Sequence, residues 1–231
     1  MRAKVQRAGR LRRAVRVAAG ATALALAAAG PRLGDVRGRL TLIDKGKDQA
    51  DDVAQAVVWL ERPGPVQPVQ VEITTSNKAF SPHVLVVPVG STVACPNHDP
   101  FNHNVFSLAE EQPFDLGLYG RGETRSVRFT RAGIIRVYCN VHAQMSALVV
   151  VRDGPHYTQP SGDGSFTLPQ VPPGHYVLQA WHERGEGASR AVEVSPSGLT
   201  DVTIQLDARG YRFRPHLNKF GQPYPLEGRR Y

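Results

Sequence analysis

The chain has 231 residues, two cysteines and a formal net charge of +8, a balance that on its own invites a nucleic-acid or anionic-membrane reading. The distribution of charge excludes it. Seven of the 28 basic residues fall before position 17, no acid falls in the first 29, and the remainder carries 21 basic against 20 acidic residues. Two cysteines do not make a disulfide framework, and about 200 mature residues suffice to bury one or two ordinary cores.

In chain order, the basic start is followed by VAAGATALALAAA (17–29), uncharged and ending in small residues. This is the pattern of a secretory signal peptide over 1–29, too short to span a membrane. It predicts a periplasmic or secreted chain with no transmembrane segment once mature. After residue 30 short β-rich runs recur: GRLTLI (38–43), AVVWL (56–60), VQVEIT (69–74), VLVV (84–87) and STVAC (91–95). NVFSL (104–108), RSVRFT (125–130), IIRVYC (134–139) and SALVVV (146–151) continue the series, and SFTL (165–168), HYVLQAW (175–181), RAVEV (190–194) and VTIQL (202–206) end it. Turn residues separate them, so the fold class is all-β, of sandwich type. A helix fits only around 48–56 or 108–122. The proline-rich RPGPVQP (62–68) reads as a connector, and 208–231, rich in aromatics, arginine and proline, as an extended tail.

The chemistry concentrates in YCNVHAQM (138–145), with the spacing C-x2-H-x2-M. At a strand period of two, Ile135, Val137 and Cys139 share one face, the apolar one, so Cys139 is expected to point inward at the strand's end. His142 and Met145 follow in a loop short enough to bring all three side chains to one point. Upstream, CPNHDPFNHNVFSL (95–108) offers His103 as a fourth donor if its strand neighbours that of Cys139. One thiolate, two imidazoles and a thioether suit copper, as a His2Cys plane with a long axial Met, whereas zinc has little use for the methionine. Two alternatives stay open: a rival trio of Cys95, His98 and His103, and a Cys95–Cys139 disulfide, which would destroy the site. The bland reading of Cys95 is a buried thiol on the Val93 face, with His98 facing solvent.

Residues 69–152 resemble the cupredoxins, the blue-copper sandwich proteins, through F-x-P, V-x-x-G-x-x-V, N-x-D and HNV in NKAFSPHVLVVPVGSTVACPNHDPFNHNVFS, followed by C-x2-H-x2-M. The short ligand loop is similar to that of amicyanin-like members. The resemblance implies a Greek-key β-sandwich with one type 1 copper ion on His103, Cys139, His142 and Met145. It also implies that Asn104 ties the ligand strand to the cysteine loop. The chain departs from the pattern at Ala143-Gln144, where those loops carry proline, and at Cys95, where an aromatic residue is expected.

YTQPSGDGSFTLPQVPPGHYVLQAWHE (157–183) resembles the carboxypeptidase-regulatory-like, transthyretin-like sandwich, whose opening strand pair has its counterpart far upstream, in 38–61. The expected organisation is therefore a signal peptide (1–29), a cupredoxin domain (66–152) inserted into a second, smaller sandwich (36–65 and 153–207), and the tail (208–231). The function this implies is an exported carrier of single electrons whose partner is a redox protein such as a cytochrome or dehydrogenase. Copper storage, sensing or delivery is the alternative, disfavoured because Met145 is the only methionine after the first residue. An enzyme is not expected: the chain has no H-x-H pair, no C-x3-C, no G-x-S-x-G and no H-E-x-x-H.

Overall fold

A computed structural model describes residues 32–46 and 48–224; the leader 1–29 and the end of the tail, 225–231, lie outside the described residues. The first strands in chain order are β1 (Gly34–Ile43), β2 (Val57–Leu60), β3 (Gln70–Glu72), β4 (Thr74–Ser76), β5 (Ala79–Ser81) and β6 (Val84–Pro88). There follow β7 (Thr92–Pro96), β8 (His103–Ser107), β9 (Phe114–Tyr119), β10 (Thr124–Arg128), β11 (Gly133–Tyr138) and β12 (Ser146–Arg152). The last are β13 (Tyr157–Thr158), β14 (Ser165–Val171), β15 (Gly174–His182), β16 (Gly185–Val194) and β17 (Leu199–Asp207). Neither candidate helix forms. The first region holds a single 3-10 turn, Val53–Gln55, and the second contains strand β9. No helix among the described residues is long and apolar enough to cross a membrane.

The sheet β6-β12-β11-β8-β9 faces the sheet β10-β7-β3 across one core, built from Val87, Val93, Val105, Phe129, Ile135, Val137 and Val149. The strand alternation of IIRVYC holds: Ile135, Val137 and Cys139 are buried in this core, while Arg136 is exposed. A second core is enclosed by the sheets β14-β1-β17 and β13-β2-β15-β16. Here β1 runs antiparallel to β14 and parallel to β17, and β2 pairs with β13 and β15, so strands from both sides of the 66–152 segment share these two sheets.

Strand β12 shows why one run in the sequence is apolar without alternation. Ala147, Val149 and Val151 enter the first core, whereas Leu148 and Val150 pack on Val57, Val84, Trp59 and Trp181 in a third cluster between the two pairs of sheets. A strand covered on both faces needs apolar residues at every position. Each fully buried Val or Leu there contributes about 1.5–3 kcal/mol relative to exposure.

A polar contact borders that cluster. His83 Nε2 lies 2.6 Å from Glu183 Oε2, and Arg136 Nη1 donates to Glu183 Oε1 at 3.0 Å. The hydrogen bond to Glu183 outweighs burial and raises His83, and the same bond lowers Glu183. A histidine raised on folding stabilises fully below its unfolded value, 6.5, and the contribution is lost as pH climbs through the folded one. A carboxylate lowered on folding stabilises above its unfolded value, 4.5, and loses the contribution as pH falls. Glu183→Gln is therefore expected to cost about 1–2 kcal/mol between roughly pH 5 and 6, discounted for partial exposure, and less at higher pH. Urea unfolding of both proteins across that range measures it; a difference that grows above neutral pH would contradict the assignment.

Candidate metal centre

Cys139 follows β11, and its main chain closes a tight loop: Cys139 N–H donates to the Met145 carbonyl at 3.2 Å, and Met145 N–H to the His142 carbonyl at 3.1 Å. Met145 is 1% exposed and belongs to the same core cluster as Cys139. Strand β8 delivers His103, fully buried, from the neighbouring position in the sheet. Cys139 Sγ lies 3.6 Å from His103 Nδ1 and 3.9 Å from His142 Nδ1, and the three donor atoms sit within 4.8 Å of one another.

These distances test whether the donor set fits a metal. Bonds of about 2.3 Å to sulfur and about 2.0 Å to nitrogen, opened to about 120°, separate the two donors by about 3.7 Å. The observed pairs bracket that value, so the residues fit. The rival trio does not assemble, since His98 is exposed and Cys95 is buried outside the group. Both cysteines are free. Burial pushes the Cys95 thiol up to about 12, which makes it a small apolar residue rather than a ligand in waiting.

Two of the donors, Cys139 and His103, are held from behind. Val141 N–H points at Cys139 Sγ at 3.4 Å. His103 Nε2 lies 2.8 Å from Asp99 Oδ2, a carboxylate–histidine pair that orients the ring with Nδ1 toward the site. Asp99, 5% exposed, also accepts from Asn77 N–H at 2.7 Å and Lys78 N–H at 2.9 Å. Burial raises its carboxyl, but the hydrogen bonds from Lys78, His103 and Asn77 prevail and hold it below the ordinary range. Asn77 and Lys78 are the two left-handed residues, φ 54 and 56, that turn the β4–β5 hairpin. The same carboxylate therefore holds a left-handed turn and a candidate ligand. Asn97, fully buried, fixes the loop through bonds from its amide to the Phe101 and Tyr119 carbonyls and from Asp99 N–H to its Oδ1. Sequence reasoning passed over Asp99 and Asn97 as ligand supports, although both stand in the N-x-D part of the motif.

Asn104 requires a correction. Its amide donates to Asp115 Oδ1 at 2.6 Å, on β9, and not to the cysteine loop; among the described residues its own Oδ1 is buried without a hydrogen-bond partner. The β8 register shift between Asn104 and Phe106, opposite β9, brings that carboxylate within reach, and a charged acceptor outcompetes a neutral carbonyl. Contact with the cysteine loop comes from the C-terminal tail instead. Tyr224 Oη donates to the Cys139 carbonyl at 2.6 Å, and Lys219 N–H donates to Asn140 Oδ1 at 2.9 Å. Burial, chiefly, raises the Tyr224 phenol, so it remains a donor at neutral pH.

His142 is half-buried and lies against Phe101, with ring centroids 5.4 Å apart; Phe101 and Val141 are 37% and 45% exposed. The Lys78 ammonium sits 5.5 Å from the Phe101 ring centroid. The loop-side imidazole thus borders an apolar surface carrying a positive charge at its margin.

Residues 67–152 match the family described as copper binding proteins, plastocyanin/azurin family. The segment with the His103–Cys139–His142 cluster is similar to the copper-binding domains of that family, its cofactor is copper, and the chain is a copper protein. Residues 152–202 match polysaccharide lyase family 4, domain II, a different family from the carboxypeptidase-regulatory-like one that the sequence resembles. Among solved structures, a purple cupredoxin from Nitrosopumilus maritimus is 26% identical over 36% of this chain and 99% of its own, with a TM-score of 0.33. An oxidised amicyanin variant is 27% identical over 36% of this chain and 81% of its own, with a TM-score of 0.34. A copper-containing nitrite reductase from Thermus scotoductus SA-01 is 23% identical over 49% of this chain and 28% of its own, with a TM-score of 0.35. No curated protein matches the chain at a significant level.

Proposed function

We propose that the chain is an exported type 1 copper protein that carries single electrons between redox partners, with His103, Cys139 and His142 as the equatorial ligands and Met145 as the axial one. The observation that carries this reading is the pre-set Cys139–His103–His142 geometry, in which the ring of His103 is locked by Asp99 and the sulfur of Cys139 by Val141 N–H. Bound copper supplies a one-electron couple between Cu(II) and Cu(I). Ligands that are already fixed move little between the two states, which suits transfer rather than substrate turnover. The exposed Phe101–Val141 surface beside His142 supports that edge as the place where a redox protein docks, a cytochrome or dehydrogenase by resemblance. The reading places the chain in the periplasm or outside the cell, on the strength of the basic and apolar leader. It takes the second sandwich as a docking or scaffolding module of carboxypeptidase-regulatory-like type, inserted around the copper domain.

The test is reversible cycling. The copper-loaded chain is expected to be reduced and reoxidised repeatedly, with fast electron self-exchange and slow loss of Cu(I) to a chelator. Fast loss to the chelator without reversible cycling would replace the carrier by a storage or delivery protein. Met145→Leu is expected to keep copper and raise the potential, because the weak axial donor favours Cu(II). Voltammetry reads the shift, and a lowered or unchanged potential would remove Met145 from the ligand set.

A further inference from the structure

The C-terminal segment after β17 lies beyond both matched segments, yet it is built into the ligand loop. The carbonyl of Cys139 is acceptor to Tyr224 Oη at 2.6 Å, a residue 85 positions away. Lys219 reaches both ligand-bearing segments. Its N–H holds Asn140 at 2.9 Å, and its Nζ pairs with Asp115 at 2.7 Å; Asp115 in turn accepts from Asn104, next to His103. The His216 ring stacks on Tyr138 with centroids 4.1 Å apart and 20° between planes, and the Tyr224 ring meets His216 edge-on at 5.2 Å.

The segment is itself ordered. Asn218 closes a turn through its N–H to the Gln222 carbonyl at 2.8 Å, while its Oδ1 accepts from Phe220 and Gln222 N–H. The Cys139 main chain is therefore clamped on both sides, by Met145 through its N–H and by Tyr224 through its carbonyl. A strand end held at only one of these points has freedom to shift its side chain.

We propose that residues 211–224 form a strap that belongs to the copper centre, with Tyr224 as a positioning residue that holds the Cys139 main chain and so fixes the thiolate. The proposal rests on the ligand assignment above and deepens it. The strap acts on how far the sulfur moves between oxidation states, not on whether the chain folds.

The test compares the full-length, copper-loaded wild type with Tyr224→Phe, which removes only the hydroxyl, and Tyr224→Leu, which also removes the ring against His216. Arg214→Ala, an exposed change in the same segment, is the control. Tyr224→Phe is expected to keep the wild-type circular dichroism while broadening the parallel copper hyperfine splitting. Its electron self-exchange rate is expected to fall by up to about tenfold, the kinetic equivalent of one hydrogen bond. Tyr224→Leu is expected to change both further, and Arg214→Ala neither. A blue wild type with unaltered spectra and exchange rates in both Tyr224 variants would overturn the strap alone. A wild type without the blue signature would overturn the ligand assignment and the strap with it.

Discussion

Replacing Cys139 by alanine is expected to abolish the intense thiolate-to-copper absorption entirely. Cys139 is fully buried, its sulfur is the centre from which both histidine nitrogens are measured, and no other described residue is placed to substitute for it: Cys95 is buried outside the cluster, with its thiol held protonated. The fold is expected to survive. The side chain lost is small, and filling its place with a methyl costs about 1–2 kcal/mol at most. Visible spectroscopy after copper loading, with denaturant unfolding as control, reads both parts. A variant that stays blue would show that the thiolate ligand lies elsewhere.

The second large effect is expected at Asp99. Asp99→Asn replaces an acceptor-only group that serves three donors, Asn77 N–H, Lys78 N–H and His103 Nε2, by an amide with one acceptor and one donor end. At least one buried donor then faces an N–H group. Two consequences follow from separate links of the chain. The β4–β5 turn loses the contact that compensates its left-handed Lys78, and stability is expected to fall by about 1–3 kcal/mol. His103 loses the charged partner that orients it, so copper affinity is expected to fall about 10–100-fold and the potential to rise. Competitive chelation and voltammetry measure the second effect separately from urea unfolding. Unchanged affinity beside lowered stability would reduce Asp99 to a turn residue.

The two effects show what a sequence can and cannot disclose about such a site. The convergence of the candidate donors His103, Cys139 and His142 was legible because its constraints are local. Strand alternation placed Cys139 inward, and C-x2-H-x2-M needs nothing but a tight loop to converge. His103 required only that β8 and β11 be neighbours, which they are. The supports were not legible, because they depend on tertiary placement. Asp99 and His103 are four residues apart, the spacing of a helix turn, but here they meet through a loop folded by Asn97. Asn104 was read by resemblance as a tie to the cysteine loop, and the nearer Asp115 takes its amide instead. The tail gave no periodicity, and its role comes from single hydrogen bonds to residues about 80 positions away, which no local pattern records.

The fold follows the same division. Most strands were read within a few residues, since alternation and turn residues mark them. β9 was missed because FDLGLY carries an acid and a left-handed glycine, Gly117 at φ +70, and lies at a sheet edge with little buried surface. VQVEIT was read as one strand, but β3 ends at Glu72 and the last residue of the run, Thr74, already opens β4. The break separates two pairings, β3 with β7 and β4 with β5.

The most direct test is a visible absorption and electron paramagnetic resonance spectrum of the chain loaded with Cu(II). The His103–Cys139–His142–Met145 assignment predicts an intense thiolate-to-copper band and a narrow parallel hyperfine splitting. A pale solution with the wide splitting of ordinary Cu(II) would contradict it, and the sulfur of Cys139 would then have no part in holding the metal.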